Sequence, residues 1–254
     1  MTELLSSYAR FAGKYDAMFE LLTPVIKRRF FELSIRPLDR MQLHFFSASI
    51  LVAYAQNNMY DKELFDMILN SMSENMDVLE YRNMADAVYA MSLVNHQHLP
   101  YLRAIDTEFR KSHKSMELMP FSIVAKAMVA LDYHQPVCFI ADVVIQRSTE
   151  WTYFDIAHWS ALSLKPPCAN YRQQFLDTIF KEAERLLPTC PPVYVCSTFH
   201  STAMLAAELN QTDHPVFDIF CAEILNRILP KVQAGDIAKV ADGLRHLNRP
   251  LDKI

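Results

Sequence analysis

Three glycines, Gly13, Gly235 and Gly243, are spread over 254 residues, where average usage is about 7%. Glycine supplies the left-handed backbone positions of tight turns, hairpins and phosphate-cradling loops. No glycine-rich nucleotide loop can be written anywhere in this chain. That argues against a dinucleotide-binding domain, a P-loop enzyme and a hairpin-rich all-β domain. The chain is long enough for a buried core, and 51% hydrophobic with 21% charged residues marks it as folded rather than disordered. A net charge of −4 is not the profile of a protein that wraps nucleic acid over its whole surface. Cys138, Cys168, Cys190, Cys196 and Cys221 are odd in number and far apart, so free, buried thiols in a reducing compartment are expected. No apolar run reaches the roughly 18 residues of a membrane span. The start, Met1-Thr2-Glu3-Leu4-Leu5 with no Lys or Arg before Arg10, reads as neither a signal peptide nor a mitochondrial presequence.

Self-similarity at a fixed period is the strongest pattern in the chain. A small residue near a helix end, followed by another apolar or small residue, recurs at Ala9, Ala55, Ala90, Ala130, Ala161 and Ala206, with a degenerate copy at Leu244. The mean interval is about 39 residues. A polar break and a second run with apolar residues at three- and four-residue steps follow each anchor, as in Lys62 to Leu69 and Phe217 to Leu225. That spacing is the helical period. Pro100, Pro136, Pro166, Pro167, Pro215 and Pro250 lie just past an anchor, where a first helical turn tolerates them. Pro24 falls inside an apolar run and is expected to kink or end its helix. The predicted pairs are 2–12 with 16–34, 41–57 with 61–74, 80–94 with 99–112, 119–132 with 136–147, 152–164 with 170–187, and 194–209 with 214–229, then 234–247 with a truncated partner. One pair cannot bury its own apolar face, but stacked neighbours can. The expected fold is all-α: an α-solenoid of six to seven helix-turn-helix repeats, with residues 1–254 as a single domain. Ala55, Ala90, Ala130 and Ala161 are expected to be buried where helices cross.

The segment from Leu51 to Phe65, and Met84-Ala85-Asp86-Ala87-Val88-Tyr89-Ala90-Met91-Ser92-Leu93, resemble the octotricopeptide and heptatricopeptide repeats found with FAST kinase-like organellar proteins. The resemblance is close over two units, fair over the next three and weak at both ends. It implies a helical-repeat protein working on organellar RNA, in transcript processing, editing or ribosome assembly. Members of that family often end in a RAP domain, and none is expected within these 254 residues.

Candidate chemistry is sparse. Lys27, Arg28 and Arg29, with Arg36 and Arg40, form the best basic cluster for RNA phosphates; the same charges equally suit the basic end of a helix. Arg110, Lys111, His113 and Lys114 are a weaker second cluster. Cys196 and His200 share a helix face, but without paired Cys spacing buried thiols are the better reading than zinc. His96 and His98, in an inter-helix turn, are expected at the surface. Tyr54, Tyr89, Trp151 and Trp159 read as packing residues. No zinc-protease motif, nucleophile elbow or carboxylate pair is present. The chain is therefore expected to be no enzyme, with no cofactor, no metal and no small-molecule substrate. Two functions stand beside each other. One is a scaffold subunit of a mitochondrial RNA-processing, RNA-editing or ribosome-associated complex, contacting other protein subunits and RNA, placed by the resemblance in the mitochondrial matrix, with the cytoplasm as the alternative. The other is a general protein–protein scaffold with no RNA role.

Overall fold

A computed structural model describes residues 16–34, 40–228 and 233–250. Its described residues form twelve α-helices and no strand. They are α1 (Asp16–Ser34), α2 (Arg40–Gln56), α3 (Lys62–Ser73), α4 (Tyr81–Leu93), α5 (Leu99–Ser112), α6 (Leu118–Ala130), α7 (Val137–Gln146), α8 (Tyr153–Leu162), α9 (Arg172–Leu186), α10 (Pro192–Glu208), α11 (Val216–Glu223) and α12 (Ala234–His246). Most helix bounds fall within two residues of those expected; α11 is shorter and runs on as a π turn over Ile224–Ile228. The helix expected over 2–12 and the last truncated partner lie outside the described residues. Helix α1 continues through Pro24, so the proline does not end it.

The chain divides into two compact units, Met1–Pro136 and Val137–Ile254. In the N-terminal unit α2, α4 and α6 pack side by side in chain order, and α1, α3 and α5 do the same. In the C-terminal unit α8, α10 and α12 form one such row and α7, α9 and α11 the other. The boundary falls between α6 and α7, inside the fourth predicted pair. The cores are apolar and close-packed. Phe65, Ile68, Leu69, Met72, Leu102 and Ile105 are fully buried in the first unit. In the second, Trp159 stacks on Phe175 with centroids 4.8 Å apart, and Phe199, Phe217 and Phe220 form a ring cluster. Each such side chain contributes about 1.5–3 kcal/mol relative to leaving it in water.

The even-numbered helices end in a common way. Asn58, Asn95, Asp132, Asn210 and Asn248 all have φ between 51° and 58°, the left-handed region. The next residue's N–H then closes back on a carbonyl of the last helical turn: Met59 on Tyr54 (2.9 Å), His96 on Met91 (2.9 Å), Tyr133 on Met128 (2.9 Å), Gln211 on Ala206 (2.8 Å) and Arg249 on Leu244 (3.0 Å). This closure satisfies carbonyls that a helix end otherwise leaves open. Glycine is the usual residue for it. Here asparagine and aspartate serve, because a short polar side chain tolerates the left-handed well. Helix α8 is the exception. Lys165 precedes Pro166, which forces extended backbone (φ −80°, ψ 148°), and the carbonyls of Ser163 and Leu164 are met instead by the Arg172 guanidinium at 3.3 and 3.1 Å.

The left-handed residue marks the ends of these helices more sharply than the alanine anchor does. Five residues before it stand Ala53, Ala90, Ala127, Leu205 and Gly243, all buried. At Gly243 an added Cβ would lie 2.7 Å from the Phe199 ring, so α10 and α12 approach closely there. Ala55 and Ala90 are buried as expected, but Ala130 and Ala161 are exposed. Of the anchors in helices that end this way, Ala90 alone has that phase; in α6 the inward alanines are Ala125 and Ala127.

Two outcomes follow from this geometry. Replacing Ala90 with Leu should cost about 1–3 kcal/mol by overpacking, while Ala130→Leu should stay within about 0.5 kcal/mol; equal losses in urea denaturation would contradict the assigned phase. At the cap, Asn95→Ala should destabilise by about 1 kcal/mol, since an ordinary side chain is strained in the left-handed well. Asn95→Gly should be neutral or stabilising, and the difference between the two variants is the diagnostic.

Candidate functional site

Within each unit, a side chain from one odd-numbered helix grips the turn that leads into the next. After α2, α4 and α10 the left-handed cap turns the chain at a fixed point and delivers the following residues to the preceding odd-numbered helix; the step after α8 makes its grip without that cap. Lys27 of α1 reaches Asp61 (2.9 Å) and Glu63 (2.6 Å) at the start of α3. Asn70 of α3 meets His98 Nε2 (3.1 Å) at the start of α5. Asp142 of α7 accepts the Tyr171 hydroxyl (3.1 Å) just before α9. Phe180 of α9 stacks on His214 (3.8 Å between centroids) before α11.

Two of these grips are also helix caps. Asp61 Oδ1 accepts the Leu64 amide at 2.8 Å, and His98 Nδ1 accepts the Tyr101 amide at 3.2 Å. Each satisfies a donor of the first helical turn, worth about 1 kcal/mol for a good N-cap. Burial works against ionising Asp61, but the Leu64 amide and the Lys27 ammonium outweigh it and hold the carboxyl below its usual range. Glu63, then Asp61, hold the Lys27 ammonium above its own.

His96 and His98 are buried, contrary to the surface placement expected from the turn. Their partners come from α3 and the turn before it. Tyr60 Oη lies 2.9 Å from His96 Nδ1. Asp66 lies 3.2 Å from His96 Nε2, off hydrogen-bonding geometry. The two imidazoles stack with centroids 6.2 Å apart. Since His98 Nδ1 accepts an amide and Nε2 faces a carbonyl oxygen, the neutral Nε2–H tautomer fits its site. Burial lowers both pKa values, and Lys62 adds to this while Asp66 opposes it.

Beside this cluster, between α1 and the α2–α3 turn, lies a cleft of about 500 Å³. Glu20, Pro24 and Lys27 line one side, and Met59, Tyr60 and Asp61 the other. Thr23 Oγ1 and Tyr54 Oη, 2.9 Å apart, tie α1 to α2 at its base.

The basic cluster expected to meet RNA is partly gathered here. Lys27 is a wall of the cleft and carries two carboxylate partners. Arg28 and Arg29 are exposed on α1, each 3.0 Å from Glu32. Arg36 lies outside the described residues, and Arg40 begins α2 with its side chain outside them. Of the second cluster, Arg110 pairs with Asp106 (2.8 Å) and Lys111 with Glu108 (3.4 Å). His200, weighed as a zinc ligand with Cys196, lies 2.8 Å from Asp242 of α12 instead. No group of metal-ligating side chains occurs among the described residues. All five cysteines are free. Cys168, Cys190 and Cys196 are buried, and burial pushes the Cys168 thiol up to about 12 and Cys190 to about 11. Cys138 is exposed, against expectation, because it sits on the outer face of α7. Trp151, Trp159 and Tyr54 are buried packing residues, and Tyr89 is half-buried.

Glu20, Tyr60 and Asp61 were not singled out from sequence. Asp61 carried a signal, an Asp directly before a helical run. Glu20 and Tyr60 carried none, since their place depends on the contact between α1 and the α2–α3 turn. No protein-family model matches the chain, and no curated protein matches it.

The histidine pair makes stability depend on pH with a definite sign. Folded-state values below 6.5 mean that the unfolded chain takes up protons first as pH falls. The pair's contribution is whole above pH 6.5 and is lost as pH drops from there towards the depressed values. His98→Asn keeps a capping oxygen and removes one titrating group. Between about pH 7 and about pH 5 the wild type should lose more stability than this variant; parallel profiles would contradict the buried neutral pair.

Proposed function

We propose that the chain is a non-enzymatic helical-repeat subunit, an α-solenoid that holds protein subunits of an RNA-processing, RNA-editing or ribosome-associated complex together. The observation that carries this reading is the ordered succession of helices in two rows within each unit, with a left-handed cap ending five of the six even-numbered helices. Such an arrangement offers extended surface rather than a closed, water-excluding pocket. The RNA setting, and with it the mitochondrial matrix, rests on the resemblance of Leu51 to Phe65 and Met84 to Leu93 to octotricopeptide repeats. Protein contact takes precedence over RNA contact in this reading. Lys27, Arg28 and Arg29 are each matched by Asp61, Glu63 or Glu32, and a phosphate would have to compete with those carboxylates.

The test is a pull-down of the tagged chain from native extract, with and without ribonuclease. The same protein partners should be captured in both conditions, with RNA present only in the untreated sample. Loss of the proteins on ribonuclease treatment would overturn the scaffold. So would tight binding of single-stranded RNA by the isolated chain with a salt slope steeper than about −2, the mark of three or more phosphate contacts.

A further inference from the structure

We propose that the cleft between α1 and the α2–α3 turn receives a cationic side chain, an arginine first and a lysine second, from a partner protein. This deepens the scaffold reading and rests on it.

The charge of the cleft is the first argument. Glu20 and Asp61 line it against one ammonium, Lys27, that is already held by Asp61 and by Glu63. Glu20 is exposed and has no ion-pair partner among the described residues. Pro24 adds a second acceptor on the same face of α1. It has no N–H, so the main-chain carbonyl of Glu20 lacks its helical donor. The site is thus rich in acceptors and poor in donors, which suits a group that only donates. A guanidinium brings five N–H donors in a plane and no acceptor.

The aromatic wall is the second argument. Tyr60 is 48% exposed, yet its ring is fixed. Its hydroxyl is bonded to His96 Nδ1 at 2.9 Å, and its ring stands edge-on to Phe65 at 5.5 Å. A tyrosine face held at the mouth of an acidic cleft is a platform for a cation. The cleft beside α1 is lined by Tyr60 together with the carboxylates of Glu20 and Asp61. A phosphate fits none of this, because the carboxylates outnumber the single, engaged ammonium.

The experiment titrates the ¹⁵N-labelled full chain with N-acetyl-arginine amide, with its neutral isostere N-acetyl-citrulline amide, and with a short single-stranded RNA. The arginine compound should shift the amides around Glu20, Tyr60 and Asp61. The citrulline compound should bind at least about tenfold more weakly, because charge-assisted hydrogen bonds are lost. Glu20→Gln, an exposed and fold-neutral change, should weaken arginine binding about threefold, and Tyr60→Leu by a similar factor. Lys27→Gln gives the decisive sign: it removes a competing cation and should tighten arginine binding, whereas an RNA site would weaken. Absence of arginine shifts at these amides, equal binding of citrulline, or RNA shifts there that vanish in Lys27→Gln would each overturn the proposal. Absence of arginine shifts with ribonuclease-resistant capture intact would sink the cleft alone; lost capture with arginine binding intact would sink the scaffold alone.

Discussion

A helix end leaves carbonyls without donors, and the way this chain meets that constraint organises the rest. Five even-numbered helices close on a residue in the left-handed well, so the next amide folds back onto the last helical turn. The closure does more than satisfy hydrogen bonds. It fixes the direction in which the chain leaves and places the following two or three residues against the preceding odd-numbered helix. Lys27 with Asp61, Asn70 with His98 and Phe180 with His214 all stand where the cap delivers them. Where a proline forbids the cap, at Lys165-Pro166, an arginine from α9 replaces it.

The polar grips sit at the edge of apolar rows that supply most of the burial energy. Their role is register. An apolar row of Leu, Met and Phe tolerates sliding, whereas the Asp61 cap does not, because its carboxylate meets the Leu64 amide in one register alone, a contact worth about 1 kcal/mol. The His96–His98 cluster is the most constrained of them, since both rings are buried, both nitrogens of His98 are hydrogen-bonded and His96 Nδ1 meets Tyr60. The grip at α1 differs in leaving open space beside it, and that difference makes its cleft a place for another chain.

Helix positions were legible because apolar residues recur at three- and four-residue steps and prolines mark the helix starts. The phase of the repeat was less legible. Alanine is common in every even-numbered helix, and in α6 Ala125, Ala127 and Ala130 all satisfy the small-residue pattern, while only the structure separates the inward pair from the exposed Ala130. The left-handed helix ends could not be read from glycine, because Asn58, Asn95, Asp132, Asn210 and Asn248 fill them. Burial of His96 and His98 was not legible, because Tyr60 and Asn70, 36 and 28 residues away, come from helical neighbours that periodicity alone does not pair. The cleft was hidden for the same reason. Lys27 drew attention as a basic residue, and its carboxylate partners changed what that charge means.

The central claim is that the left-handed caps are formed and hold the turns in place, and amide hydrogen exchange tests it directly. The amides of Met59, His96, Tyr133, Gln211 and Arg249 lie beyond their helices, where an open turn would exchange at nearly the rate of a free peptide. The account predicts protection at these five sites comparable to the last turn of the helix each one closes. Exchange at unprotected rates at most of them, with the helix interiors still protected, would contradict it.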